Sequence, residues 1–340
     1  MKSYNSLKVL LILTLSLLYG CTPAIHPSGV KTYQGEIRTE QFITADEVKL
    51  PLRQWQPMSG KTDAVIIALH GFNDYSHFFQ RPAEYFQQHN IASYAYDLRG
   101  FGKTQQRGLW AGYQTYSEDL ALFTHLIAEK HPNTPIYLLG ESMGAAVIVV
   151  AMSEVNMPEV TGIILAAPAV WARDFMPWYQ TSLLSLLSHT MPWLTLTGES
   201  VGVIASDNIE WLRKLGRDPL VIKETRVEAV HGLTDLMDKA MENSKNLHVK
   251  TLLMYGEKDE LIPAEPTSQF IHNFLQQETE QKKIACYKNG YHLLLHDLQA
   301  QIVWQDLESW ILTAQPSLPS GAEQQKTCFK QEINSQKKLF

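Results

Sequence analysis

The sequence predicts an α/β fold built on a mostly parallel, doubly wound sheet. Two observations carry that prediction. Short runs of apolar character, at residues 64–69, 91–96, 136–139, 162–167 and 251–256, lack a polar face, as strands buried on both sides require. Segments with apolar residues at helical spacing alternate with most of these runs, which is the order of a parallel sheet covered by helices. The alternation fails once, between about residues 170 and 230, so a helical cap is expected there, inserted after the strand at 162–167.

The chain has 340 residues, 45% of them apolar and 19% charged, which suits one large domain with a sizeable core. A net charge of −6, with basic residues scattered and only Lys337 and Lys338 paired near the end, gives no nucleic-acid-binding face. The twelve histidines show neither an H-E-x-x-H pattern nor a Cys/His cluster at ligand spacing. No metal and no cofactor are therefore expected.

Residues 1–20 read as a signal peptide. Lys2 and Lys8 form a basic start, and residues 9–19 are apolar but too few to span a bilayer. The segment closes on Leu18-Tyr19-Gly20-Cys21, which resembles a bacterial lipobox. That resemblance implies a diacylated Cys21 as the new N-terminus and a protein held to a membrane. Thr22, where an Asp would retain such a protein at the inner membrane, implies delivery to the outer membrane of a two-membrane cell envelope. Residues 21–34 read as a polar tether. Cys286, in an apolar strand-like run, reads as a buried small residue, and the sequence leaves open whether it pairs with Cys328.

The main domain is expected over residues 35–314. It opens on two antiparallel strands with a turn near Ala45-Asp46-Glu47; Ile37, Thr39, Gln41 and Ile43 share one face of the first, and Val48, Leu50 and Leu52 one face of the second. Gln54 interrupts the second pattern. The strand at 64–69 runs into His70-Gly71-Phe72-Asn73, then a helix is expected over 75–89 and a strand over 91–96. Asp97 and Arg99 brace a glycine-rich turn. Gly102-Lys103-Thr104 lacks the upstream Gly of a phosphate loop, and Gly100-Phe101-Gly102 lacks the third Gly of a dinucleotide fingerprint. Helical spacing covers 116–130.

In the cap, Trp171, Phe175, Trp178, Leu183, Leu184, Leu186, Leu187 and Trp193 crowd one region, and Ser206-Asp207-Asn208 starts another helix. These apolar residues pack the cap onto the body, and some line an acyl pocket or touch a membrane. The sheet resumes at 251–256. A helix follows at 268–277, a strand at 283–287 and a closing helix at 299–313, with Ile302, Val303, Leu307, Trp310 and Ile311 inward. Residues 315–340 read as a polar, disordered tail.

Gly140-Glu141-Ser142-Met143-Gly144 lies between an apolar strand and a run of small and apolar residues of helical length. This is the pattern of a nucleophile elbow, with Ser142 exposed at the apex of a strained turn. Asp259 and His292 follow in that order, each just past an expected strand. A serine hydroxyl needs a base, His292, and the imidazole needs an acid, Asp259, to fix its tautomer and stabilise its charged form. The backbone N–H groups of Met143 and Phe72 would hold the oxyanion. Competitors are His70 and His296 for the base, and Glu257 and Glu260 for the acid. His70 precedes the serine, and Gly290 gives His292 the turn that His296 lacks.

His70-Gly71-Phe72-Asn73, Asp97-Leu98-Arg99-Gly100-Phe101-Gly102, Gly140-Glu141-Ser142-Met143-Gly144, Gly256-Glu257-Lys258-Asp259 and Gly290-Tyr291-His292 together resemble the monoacylglycerol lipase and lysophospholipase group of α/β-hydrolases. Residues 218–220 and 232–237 resemble that group's cap exit. The likeness covers about residues 39–310. It implies an α/β-hydrolase fold and a lipase or lysophospholipase activity, in which a single-chain acyl ester is cleaved through an acyl-enzyme. Serine peptidases and small-ester esterases share the motifs, and a lipoprotein that binds acyl chains without turnover is the reading outside enzymes. Phe72 stands where a smaller residue is common, implying a narrow oxyanion pocket, and Ala145 stands where a third Gly is common.

Overall fold

The computed structural model describes residues 23–324 apart from 24, 198–201, 277–280, 314 and 316. Its strands are β1 Glu36–Arg38, β2 Gln41–Ile43, β3 Lys49–Trp55, β4 Ala64–Leu69, β5 Ile91–Tyr96, β6 Ile136–Glu141, β7 Gly162–Ala166, β8 Thr195–Thr197, β9 Glu224–Arg226, β10 Thr251–Gly256 and β11 Lys282–Tyr287. Its α-helices are α1 Gln80–Gln87, α2 Tyr113–Lys130, α3 Met143–Glu154, α4 Trp178–Thr190, α5 Ile209–Arg217, α6 Val227–Asn243, α7 Ala264–Leu275 and α8 Ala300–Leu312.

The main sheet runs β1-β2-β3-β5-β4-β6-β7-β10-β11. From β5 to β11 every pairing is parallel, and β3 joins β5 antiparallel. The α/β-hydrolase fold and its mostly parallel sheet are thus as the sequence predicts. Along β4 successive side chains enter opposite layers. Val65, Ile67 and Leu69 meet the layer containing residues of α2, α3, α6 and α7, while Ile66 and Ala68 meet that of α1 and α8. The chain passes from β4 outward to β5 and then back to β6 on β4's other side. At such a reversal open α/β sheets place their ligands beyond the carboxyl ends of the strands, here those of β4 and β6.

The expected opening strand is divided. β1 and β2 pair antiparallel with Arg38 opposite Gln41, so the chain turns at Thr39 and Glu40. Gln54, which broke the alternation, donates from Nε2 to the carbonyls of Arg38 and Thr39, satisfying that turn. The expected tether is also corrected over part of its length. His26 N–H donates to Trp110 O at 2.8 Å, Gly29 N–H to Asp46 Oδ2 at 2.7 Å, and Thr32 and Tyr33 N–H to Ala45 O. Residues 26–33 are therefore laid against the domain. Residues 1–22, with Cys21, lie outside the described residues.

The cap segment holds α4, α5 and the antiparallel pair β8–β9, whose three-residue strands carry too little pattern to be read from sequence. Arg173 at the cap's entry is bound by Asp235 and Asp238 of α6. On α8, Val303, Leu307, Trp310 and Ile311 are buried, but Ile302 is exposed, a correction to the expected inner face. The expectation of disorder from residue 315 is overturned up to residue 324: Leu318 and Ala322 are buried, and Asp306 of α8 accepts the Ser320 N–H and hydroxyl and the Tyr287 hydroxyl. Cys286 is buried, as expected, and disulfide-bonded, a pairing the sequence left open. Cys328 lies outside the described residues. No helix among the described residues is long and apolar enough to cross a membrane.

Candidate active site

The turn after β6 is shaped by two glycines. A Cβ on Gly140 would stand 2.3 Å from Ala145 N, and one on Gly144 would stand 2.3 Å from Leu69 O. With no side chain at either position, α3 packs directly against β4, and Ser142 is forced to φ 55°, ψ −114°. A non-glycine residue at positive φ is strained, and here the strain falls on the candidate nucleophile. Its backbone is tied on both sides: Ser142 N–H donates to Ala166 O, and Ser142 O accepts from Ala145, Ala146 and Ala169. Met143 opens α3, where an N–H has no acceptor within the helix.

The loop after β4 lies beside this elbow. A Cβ on Gly71 would stand 3.4 Å from Ser142 Cβ. His70 holds the loop. Its Nε2 accepts the Leu98 N–H at 3.0 Å, and its Nδ1 donates to Gly71 O at 2.8 Å. Burial pushes the His70 ring down to about 4, against the pull of the Gly71 carbonyl, so it is neutral. Both nitrogens are engaged in bracing, which leaves His70 no lone pair for a base. Phe72, next in the loop, packs edge-to-face on Phe101 and Trp110. Asp97 fixes the neighbouring turn by accepting from Ser76 and from the Lys103 N–H, and Arg99 is clamped between Asp46 and Asp119.

Asp259 follows β10 and His292 follows β11. Their loops touch because Gly256 is bare: a Cβ there would stand 2.5 Å from the Gly290 carbonyl. Lys258 N–H donates to Gly290 O at 2.9 Å. His292 Nδ1 donates to Asp259 Oδ2 at 2.8 Å, and Asp259 Oδ1 accepts the N–H groups of Leu261 and Ile262. With its proton on Nδ1, the imidazole presents a lone pair at Nε2, the form a general base needs. Ser142, Asp259 and His292 are 8%, 9% and 2% exposed, so charge developing at this site would be poorly screened by water.

The competitors lie elsewhere. His296 is buried and stacked flat on Trp211, with 4.0 Å between ring centres and 6° between planes. Glu260 Oε2 accepts the Ile204 N–H, and Glu257 is exposed. Two groups were not legible in the sequence as part of this neighbourhood. Glu141 is fully buried, its Oε2 has no hydrogen-bond partner among the described residues, and burial, with Asp74 and Asp297 adding, raises its pKa well above the carboxylate range. Asp297 accepts the N–H of Tyr291, the residue before His292. Among the described residues no three His, Cys, Asp or Glu side chains are grouped to hold a metal ion.

A family model described as serine aminopeptidase, S33, matches residues 60–299. The chain is 24% identical over 276 residues to a monoglyceride lipase of Rattus norvegicus, covering 79% of this chain and 89% of that one. It is 24% identical over 274 residues to a monoacylglycerol lipase of Mycolicibacterium smegmatis, covering 80% and 96%. Its fold resembles the crystal structure of a soluble variant of monoglyceride lipase from Saccharomyces cerevisiae, with a TM-score of 0.68 at 18% identity over 85% of this chain and 98% of that one.

Proposed function

The chain belongs to the serine aminopeptidase S33 family of serine hydrolases, and from that premise we propose that it is a carboxylic ester hydrolase that cleaves a single-chain acyl ester, a monoacylglycerol or a lysophospholipid. Ser142 attacks the ester carbonyl as His292 Nε2 takes its proton. Asp259 holds the imidazole and stabilises its charged form. The Phe72 and Met143 N–H groups receive the oxyanion; one such donor typically contributes about 3 kcal/mol to the transition state. The tetrahedral adduct collapses to an acyl-Ser142 ester as His292 returns the proton to the departing alcohol. Water, deprotonated by His292, then releases the fatty acid.

The observation that carries the lipid substrate is the outer face of the cap. From Pro177 to Thr197 there is no Asp, Glu, Lys or Arg. Trp178, Tyr179, Leu183, Leu186 and Trp193 are all more than half exposed. An uncharged, exposed apolar face edged by tryptophans suits a bilayer surface. The cap also reaches the loops after β4 and β11: Ile222 N–H donates to Asn73 O, Asn73 Nδ2 to Thr225 Oγ1, and Leu293 N–H to Ala205 O. Lipidation of Cys21 and delivery to the outer membrane complete the reading: the two acyl chains hold the protein to the bilayer and the cap face adds a second contact.

The test is fatty-acid release by protein lacking residues 1–21, with monoacylglycerol, lysophospholipid and an aminoacyl amide compared side by side and Ser142→Ala as control. Release from a lipid ester that vanishes in the variant supports the reading. Cleavage of the amide alone moves the protein to the peptidase branch, and an inert Ser142 makes it an acyl-chain carrier.

A further inference from the structure

The middle of the cap, just before α5, is laced to the loop that carries His292. Leu293 N–H donates to Ala205 O at 2.9 Å, and Leu298 N–H donates to Asp207 Oδ1 at 2.8 Å. Asn208 donates from Nδ2 to His296 O at 2.8 Å and caps α5 by accepting the Trp211 N–H. Trp211, in the first turn of α5, is the residue stacked on His296. At the centre is a carboxylate. Asp297 accepts the Ser206 hydroxyl on Oδ1 at 2.6 Å and the Tyr291 N–H on Oδ2 at 2.8 Å. Ser206 and Asp297 are 0% and 1% exposed.

The two backbone N–H groups that flank His292, those of Tyr291 and Leu293, are therefore both tied outside their own turn. One is held by Asp297 and the other by the cap. A buried carboxylate is costly unless donors satisfy it, and Ser206 supplies one of the two donors named here. Without that hydroxyl the Asp297 carboxylate loses the partner that keeps it turned toward Tyr291.

We propose that Asp297 is a positioning residue for His292, and that Ser206 makes this positioning depend on the cap: the imidazole is in reacting register only while the cap segment before α5 is seated. The inference rests on the reading of His292 as the general base. Its physical content is that two side chains 91 positions apart join the cap to the turn that carries the base. Proton transfer from Ser142 tolerates little misplacement, since a shift of about 1 Å in a reacting group costs on the order of 100-fold.

The test uses the full-length protein in detergent micelles and a soluble short-chain nitrophenyl ester. Asp297→Ala should lower kcat roughly 100-fold, and Ser206→Ala about tenfold, each with KM within about twofold. Asp297→Asn offers an acceptor to Tyr291 and a donor to Ser206 Oγ, and should recover to within about threefold of wild type. The low-field proton resonance of the His292–Asp259 hydrogen bond gives a second readout. It should persist in wild type and Asp297→Asn, and broaden or shift in Asp297→Ala and Ser206→Ala. Activity lost only in proportion to folded protein, with that resonance unmoved, overturns the proposal. Should Asp297→Ala fail to fold, Ser206→Ala, which deletes one hydroxyl, decides by the same two readouts. A wild type without turnover, with Ser142 inert to a fluorophosphonate, overturns the functional reading and this one with it; an active wild type with unmoved variants overturns this one alone.

Discussion

His292 Nδ1 donates to Asp259 Oδ2 at 2.8 Å while Asp259 Oδ1 is occupied by two backbone N–H groups, so the carboxylate cannot turn away from the imidazole. Asp259→Asn would still satisfy the loop but could present an N–H to Nδ1 and move the ring proton to Nε2. The expected result is a loss of roughly 10³- to 10⁴-fold in kcat on a soluble ester, with little change in KM. A loss below tenfold would mean that Asp259 does not set the tautomer of His292.

His296 should prove dispensable for chemistry. His296→Phe keeps the stack on Trp211, and fluorophosphonate labelling of Ser142 is expected to continue at the wild-type rate. Its signature lies in stability against pH. Burial, with Arg81 and His77 adding, pushes the folded ring down to about 3, whereas the unfolded ring takes a proton below about pH 6.5. The folded pKa is depressed, so stability falls as the pH drops through that window, by about 2 kcal/mol at pH 5 from this group. Denaturant titrations at pH 7.5 and 5 should show a smaller fall in the variant.

Arg99 is held between Asp46 and Asp119, and all three side chains are nearly buried. Burial would raise Asp46, but Arg99, Thr44 and the Gly29 N–H outweigh it and hold the carboxyl well below the usual range. Its stabilisation is therefore present above about pH 4 and lost as the pH falls further. Asp46→Asn should cost about 3 kcal/mol at pH 7, and the gap to wild type should narrow below pH 4. Equal destabilisation at both pH values would contradict this account of the clamp.

The cap face is separable from the chemistry. Leu183→Asp combined with Leu186→Asp places two charges on an exposed face of α4, where neither leucine is part of the core. In protein lacking residues 1–21, partition onto phospholipid vesicles should fall at least tenfold, with turnover of dispersed monoacylglycerol falling in step. Turnover of a soluble short ester should stay within about twofold. Unchanged partition would confine the cap's apolar residues to packing and substrate binding.

Much of the sheet and the site's residue types were legible because chemistry and packing demand particular residues at fixed places. Gly140 and Gly144 are legible because a Cβ at either would strike backbone. β4 and β10 are legible because both faces are buried along their whole length. What escaped depends on partners far away in the chain. Gln54 looked like a flaw in a strand because the carbonyls it serves, at Arg38 and Thr39, belong to a turn that a two-residue period runs straight through. Leu318 and Ala322 were hidden in a polar stretch whose docking depends on Asp306. The Ser206–Asp297 bond joins residues with no common motif, and only the folded cap brings them together.

The first backbone hydrogen bond of the described chain, from His26 to Trp110, sets a reach. Trp110 packs against Phe72, and Gly232 of α6 approaches it so closely that a Cβ there would stand 2.1 Å from Trp110 Nε1. The N-terminal segment thus leaves the body beside the loop after β4 and the cap. With Cys21 lipidated as proposed, five residues span at most about 18 Å between lipid and body. A leash that short restricts tilt as well as distance, so the active site would graze the bilayer and search for lipid in two dimensions. Twenty Gly-Ser residues inserted before Ile25 would lengthen the leash and free the tilt. Hydrolysis of lipid in the anchoring membrane should then slow, while a soluble ester is turned over as before; equal slowing of both would detach the leash from orientation.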